Sequence, residues 1–146
     1  MVHEREYKET ESIRVGVEAF VVKNGQLLLG MRKNVTGHGD WALPGGHLEQ
    51  GESLIECLRR ELQEEIGIEI KDQKLVTLDN NPANVGGHYL HIGFFVENFE
   101  GRIELKEPEK CEEWRFFDIE NLPENLFSAH KKEIDLFKRK MLYDGS

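Results

Sequence analysis

The chain has 146 residues, 38% of them hydrophobic and 32% charged, a mix that suits one soluble globular domain with a single core. A formal net charge of -9 speaks against nonspecific binding to nucleic acid or to an anionic membrane, so the expected partner is a small molecule. The two cysteines, Cys57 and Cys111, belong to no CxxC pair and are expected as free thiols in the cytoplasm, and no apolar run reaches membrane-spanning length.

Residues 1–13 are polar at the start and are expected to form a flexible arm, leaving 14–142 as the domain. Residues 15–22 and 26–32 read as two strands joined by a hairpin at Asn24-Gly25. A loop over 33–40 leads to a short strand at Trp41, and Pro44-Gly45-Gly46 gives a strong turn signal. Leu54, Leu58, Leu62 and Ile66 recur every four residues, the period of an apolar helix stripe, with Glu52 or Ser53 at its start and Gly67 as its stop. The chain is expected to return as strand from Gly67 to Leu78 and to turn over 79–87. In residues 88–97, Leu90, Ile92, Phe94 and Val96 alternate as on a half-buried strand, with His88 and His91 exposed or hydrogen-bonded. Short strands are expected at 102–105 and 113–118, and a closing helix over 129–142 presents Ile134, Phe137 and Met141 on one side. Strands around one internal helix, with a second helix at the end, indicate an α/β layered domain.

The central helix carries the chemistry. At about 100° per residue, Glu61 and Glu65 lie about 40° apart, and Glu64 lies about 60° to the other side of Glu61. Like charges so placed destabilise a bare helix. A hard divalent cation with oxygen ligands would offset that cost. Arg60 precedes the cluster and is positioned to pair with a carboxylate, while Glu52 stands ready to support it. Adjacent glycines at 45 and 46 permit close backbone approach to a ligand. No Ser-His-Asp or Cys-His arrangement competes, so no covalent intermediate is expected.

From Gly46 to Ile68 the chain reads GHLEQGESLIECLRRELQEEIGI, which fits G-x5-E-x7-R-E-U-x-E-E-x-G-U, with U apolar, at every specified position. This resembles the Nudix box, the signature of enzymes that hydrolyse a nucleoside diphosphate linked to another group. The resemblance implies an α/β/α sandwich with a mixed sheet, and Mg²⁺ or Mn²⁺ as cofactor. It implies Glu61, Glu64, Glu65 and the Gly45 carbonyl as metal ligands, with Glu52 and Arg60 supporting them. The segments around Arg32, His47 and Cys111 look like those of the MutT-related nucleoside triphosphate diphosphatases. That likeness implies phosphate contacts at Arg32 and His47 beside the Gly45-Gly46 loop, an aromatic near the base at Phe127, and pairing as a homodimer. It also implies an acidic residue from a late loop. Glu107, Glu109, Glu112 and Glu113 qualify by position, with Glu109 favoured, and the general base is Glu64 or Glu109.

The expected reaction converts a nucleoside triphosphate, with guanine or a modified purine favoured, to monophosphate and pyrophosphate. An ADP-ribose or nucleotide-sugar pyrophosphatase would keep the same box. A messenger-RNA decapping enzyme would need a basic surface that this acidic chain does not advertise. A ligand-binding regulator would be expected to have lost box glutamates or gained a DNA-binding domain.

Overall fold

A computed structural model describes residues 12–83 and 87–145. The expected arm falls almost wholly outside them. Strands β1 (Arg14–Lys23) and β2 (Gln26–Arg32) form the expected hairpin, followed by β3 (Trp41–Ala42) and β4 (Gly45–His47). Helix α1 (Leu54–Ile66) comes next, then β5 (Glu69–Ile70), β6 (Lys74–Asn81), β7 (Tyr89–Val96), β8 (Phe99–Glu100) and β9 (Cys111–Asp118). A 3₁₀ turn (Ser128–His130) leads into α2 (Lys131–Lys138).

The main sheet runs β3-β2-β1-β7-β6, with β4 paired to β1 and β9 to β2. It is mixed because β1 and β7 are parallel, while the other pairs are antiparallel. Strands β5 and β8 form a separate two-stranded ribbon.

Strand β1 lies inside this sheet, and residues 16–22 are buried on both faces. Val17, Ala19 and Val21 pack with Cys57, Leu58, Leu62 and Ile66 of α1. Phe20 and Val22 point the other way, toward Ile134 and Phe137 of α2. The result is the expected three-layer α/β/α arrangement, organised around the alternation of one central strand. Each fully buried leucine of α1 contributes roughly 1.5–3 kcal/mol by leaving water.

Several expected elements differ in extent. The stretch from Gly67 to Leu78 is divided between β5 and β6, and β6 continues through Asn81, so the turn begins only at Pro82. Strand β7 is covered on both faces: His91, on the side opposite Ile92, is as buried as its apolar neighbours. No strand forms over 102–105; the partner of β5 is β8. Helix α2 is shorter than expected, because Lys140 adopts a positive φ of 56° and leaves Met141 exposed. Beyond it the chain returns to β6, where Leu78 N–H donates to Leu142 O at 2.7 Å. Among the described residues, no helix is long and apolar enough to cross a membrane.

Ser53 is the N-cap of α1: its hydroxyl accepts from Glu56 N–H, and the Glu56 carboxylate accepts from Ser53 N–H, each at 3.1 Å. This reciprocal pair satisfies two otherwise orphaned donors. Ser53→Ala should cost about 1 kcal/mol and lower Tm by a few degrees without changing the fold, as read by thermal denaturation.

Candidate active site

Arg60 is the hub of the segment from Gly46 to Ile68. Its Nε and Nη2 donate to the two oxygens of Glu52 at 2.7 and 3.0 Å, the fork-to-fork geometry that favours arginine over lysine. Nη1 donates to Glu61 at 2.7 Å, and Nη2 also reaches the His47 carbonyl at 3.1 Å. One guanidinium thus ties the Glu52 turn, the Gly45–His47 strand and helix α1 together. It holds the Glu52 carboxyl down at about 2, chiefly through the hydrogen bonds from Arg60, helped by Glu49 N–H.

Glu61 and Glu65 face β4. Gly45 N–H donates to Glu65 Oε1 at 2.7 Å. The space over Gly46 is filled by the Glu61 carboxyl group, which a Cβ at that position would overlap. Burial raises the pKa of Glu61 against the opposing pull of Arg60, and the charges of Glu64 and Glu107 add to the rise. Burial pushes Glu65 well above the carboxylate range against the opposing Gly45 hydrogen bond, and repulsion from Glu61 and Glu107 adds to the rise. Crowded, half-desolvated carboxylates of this kind suit a hard divalent ion, which would restore their charged forms. Glu64 stands apart, its side chain 51% exposed and its nearest cation Arg60 Nη1 at 3.5 Å.

Two cavities meet at this point. The smaller, of about 110 Å³, is lined by Arg32, Glu65, Glu107, Cys111 and Trp114 among others. The larger, of about 300 Å³, is lined by Glu65, Gly45, Gly46, His47, Arg32 and Phe127, and also by Glu18, His91 and His130. Arg32 and Glu65 line both. The Arg32 guanidinium lies 4.1 Å above the Phe127 ring. His47 Nε2 is 3.0 Å from the Tyr89 hydroxyl. Burial, and then the positive charge of Arg14, hold the His47 imidazole below its usual pKa, which favours the neutral ring.

The structure separates two of the late-loop candidates. Glu107 lines the smaller cavity, and its charge is felt by Glu61 and Glu65. Glu109 is exposed and engages Asn34 through its backbone oxygen, at 3.3 Å. Glu107 precedes the turn that starts at Pro108, and Glu109 lies within it. Trp114 packs against the core, as expected, while also walling the smaller cavity.

A second constellation escaped the sequence reading. Glu18, His91, His130 and Glu133 are all buried, with potential ligand atoms within 4.8 Å of one another. Burial works against the charge on Glu18, yet its hydrogen bond to His91 (2.9 Å) and the His91 charge hold its pKa below the usual value. Burial, and then the charge of Glu18, push Glu133 well above the carboxylate range, so it is neutral and able to donate to Glu18. Burial opposes an imidazolium at His91, but Glu18 and Asp79 outweigh it and raise its pKa. His130 is held down at about 4, chiefly by burial. The available signal was an acid in the middle of an apolar strand and a histidine inside another.

A profile of the NUDIX domain family matches residues 12–139. Over 86% of its length the chain is 36% identical to an ADP-ribose pyrophosphatase of Methanocaldococcus jannaschii, covering 73% of that protein. It is also 36% identical to an oxidized purine nucleoside triphosphate hydrolase of Danio rerio, over 70% of this chain and 65% of that one. Among solved structures, a MutT NUDIX hydrolase from Burkholderia pseudomallei superposes with a TM-score of 0.80 at 30% identity, over 86% of this chain and 98% of that one.

Glu52 has a folded pKa below its ordinary 4.5, so the stability it contributes is complete above that value and is lost as pH falls toward about 2. Glu52→Gln should lower Tm at pH 7. Between pH 5 and pH 2 the variant should lose less further Tm than the parent, as measured by thermal melts across that range.

Proposed function

The chain belongs to the Nudix hydrolase family, whose members act on nucleoside diphosphate derivatives, and from that premise we propose that it cleaves a purine nucleoside triphosphate to monophosphate and pyrophosphate. The observation that carries this reading is the larger cavity, in which Glu65 and the Gly45-Gly46 loop share one lining with Arg32, His47 and Phe127. The likeness to the Danio rerio triphosphate hydrolase supports it. The likeness to the Methanocaldococcus jannaschii protein favours a second reading, hydrolysis of ADP-ribose or a nucleotide sugar, which the same cavity accommodates.

Glu61 and Glu65 would hold Mg²⁺ or Mn²⁺, with the Gly45 carbonyl and, from the exposed side, Glu64 completing the set. The ion supplies neutralisation of the polyphosphate and a lower pKa for bound water. Arg60 and Glu52 keep Glu61 oriented. Arg32 is permanently charged and sits where phosphate oxygens would meet it, and His47 offers a second donor to them. Phe127 packs against the base. Glu107 replaces Glu109 as the late-loop carboxylate, placed to take a proton from water as its oxygen bonds to phosphorus and the anhydride P–O bond breaks. We further infer a cytoplasmic enzyme, paired as a homodimer, with no nucleic-acid partner.

Incubation with nucleoside triphosphates, ADP-ribose, nucleotide sugars and dinucleoside polyphosphates, with products identified by mass, tests the reading. Purine triphosphates should give monophosphate and pyrophosphate. Faster turnover of ADP-ribose would shift the assignment to the second reading. Excess EDTA should abolish activity and Mg²⁺ restore it.

Glu61→Gln and Glu65→Gln should each slow turnover by roughly 10²–10⁵-fold. Melting temperature without metal should hold in Glu65→Gln, whose buried carboxyl is already held toward its neutral form, and fall slightly in Glu61→Gln, which loses the pairing with Arg60 Nη1. Glu107→Gln should lower kcat by roughly 10²–10⁴-fold while Glu109→Gln leaves it near the parent value.

A further inference from the structure

Four ionisable side chains gather in the layer between the sheet and α2. Glu18 comes from β1, His91 from β7, Glu133 from α2 and His130 from the turn before it, and none is more than 6% exposed. Strand alternation explains how they meet. Phe20 of β1 and Phe95 of β7 stack on Phe137, so Glu18 and His91, an even number of residues away, share the face toward α2.

Glycines make room for them. In the parallel pairing of β1 and β7, Gly16 is the register partner of His91, and Gly93 that of Glu18. A Cβ on Gly16 would lie 2.8 Å from both Glu18 Oε2 and His91 Nδ1, and one on Gly93 would lie 3.1 Å from Glu133 Oε2. Neither glycine has a positive φ, so both supply space and not an unusual backbone.

Glu133 is the telling residue. It is 0% exposed, and neither carboxyl oxygen has a hydrogen-bond partner. Such a group is costly to bury unless something compensates it. Its Oε1 is 3.5 Å from His91 Nδ1, which lies 2.9 Å from Glu18 Oε1. Ligand atoms bonded to one ion at about 2.1 Å stand about 3.0–3.4 Å apart in octahedral or tetrahedral geometry. The two separations bracket that range. One neutral imidazole, two carboxylates and a divalent cation also sum to zero charge, which suits burial.

The donor set narrows the ion. Imidazole nitrogen suits Zn²⁺ and Fe²⁺, whereas Mg²⁺ prefers oxygen and keeps several waters. His130 stays outside the set. Leu43 N–H donates to its Nδ1 at 3.1 Å, so in the neutral ring Nε2 carries the hydrogen and is no ligand. It faces Glu18 Oε2 at 3.9 Å, on the side where an outer donor would steady a ligating carboxylate. Glu18 and His91 line the larger cavity, which leaves a further position for water.

We propose that Glu18, His91 and Glu133 form a second metal site, built from no residue of α1, that holds one divalent transition-metal ion such as Zn²⁺ and clamps α2 to β1 and β7. The ion takes the place of the proton that burial leaves on Glu133. The proposal does not depend on which nucleotide is hydrolysed.

Equilibrium dialysis of chelator-stripped Glu61→Gln protein against Zn²⁺, with bound metal counted by mass spectrometry, tests this away from the box carboxylates. One Zn²⁺ per chain should bind, survive excess Mg²⁺ and raise Tm. Adding Glu133→Gln, which keeps shape and loses charge, should weaken Zn²⁺ binding by roughly 100-fold and abolish the rise in Tm. Adding Glu64→Gln instead should leave both unchanged. Absence of bound Zn²⁺ in the Glu61→Gln protein overturns the proposal. So does Zn²⁺ that excess Mg²⁺ displaces, or that is lost with Glu64→Gln but kept with Glu133→Gln, since either places the ion on α1. Should the Glu133→Gln protein fail to fold, His91→Gln takes its place, and unchanged Zn²⁺ affinity there overturns the proposal equally.

Discussion

The bidentate pair between Arg60 and Glu52 is the constraint on which the rest of the site depends. It crosses from the turn before α1 to the middle of that helix, and the same guanidinium reaches Glu61 and the His47 carbonyl. Without it, the strand and the helix would be joined by the Gly45–Glu65 and Cys57–His47 hydrogen bonds and by apolar packing. The arrangement also solves an electrostatic problem. Several acidic side chains crowd one end of the sheet, and Arg60 offsets part of their repulsion while leaving Glu65, on the next turn of the helix, without a direct cation partner among the described ion pairs.

Much of this was legible in the sequence, for physical reasons. The period-four stripe of Leu54, Leu58, Leu62 and Ile66 can be satisfied only by a helix with one buried face, and the capping box and Gly67 mark its ends. The box residues follow from it, because their spacing on a helix fixes which carboxylates share an arc. The hairpin at Asn24-Gly25 was equally readable. What failed was long-range. Burial of the second face of β7 depends on α2 and β1, elements distant in sequence, so alternation in β7 alone suggested a half-exposed strand. The choice between Glu107 and Glu109 depends on how a turn projects, which composition does not encode. Glu18 was passed over because a lone acid in a strand has no meaning until His91 and His130 are brought beside it by pairing with β7 and by the turn before α2.

The two acidic clusters are held by different means. Around Arg60 the compensating charge is a guanidinium that cannot be deprotonated, so the pairing persists across the physiological range. Around Glu18 it is imidazole beside a Glu133 that burial holds toward its neutral form. The first suits a framework that must meet a highly charged ligand unchanged.

Glu18 also occupies a particular place in the register. Its backbone is the partner of Gly45 across β1 and β4, while its side chain joins His91 and lines the same cavity. One residue thus joins the acidic loop to the buried cluster, its backbone at the first and its side chain in the second. The relation between the two is therefore a property of the sheet and not of flexible side chains, and a displacement of β1 would carry both together.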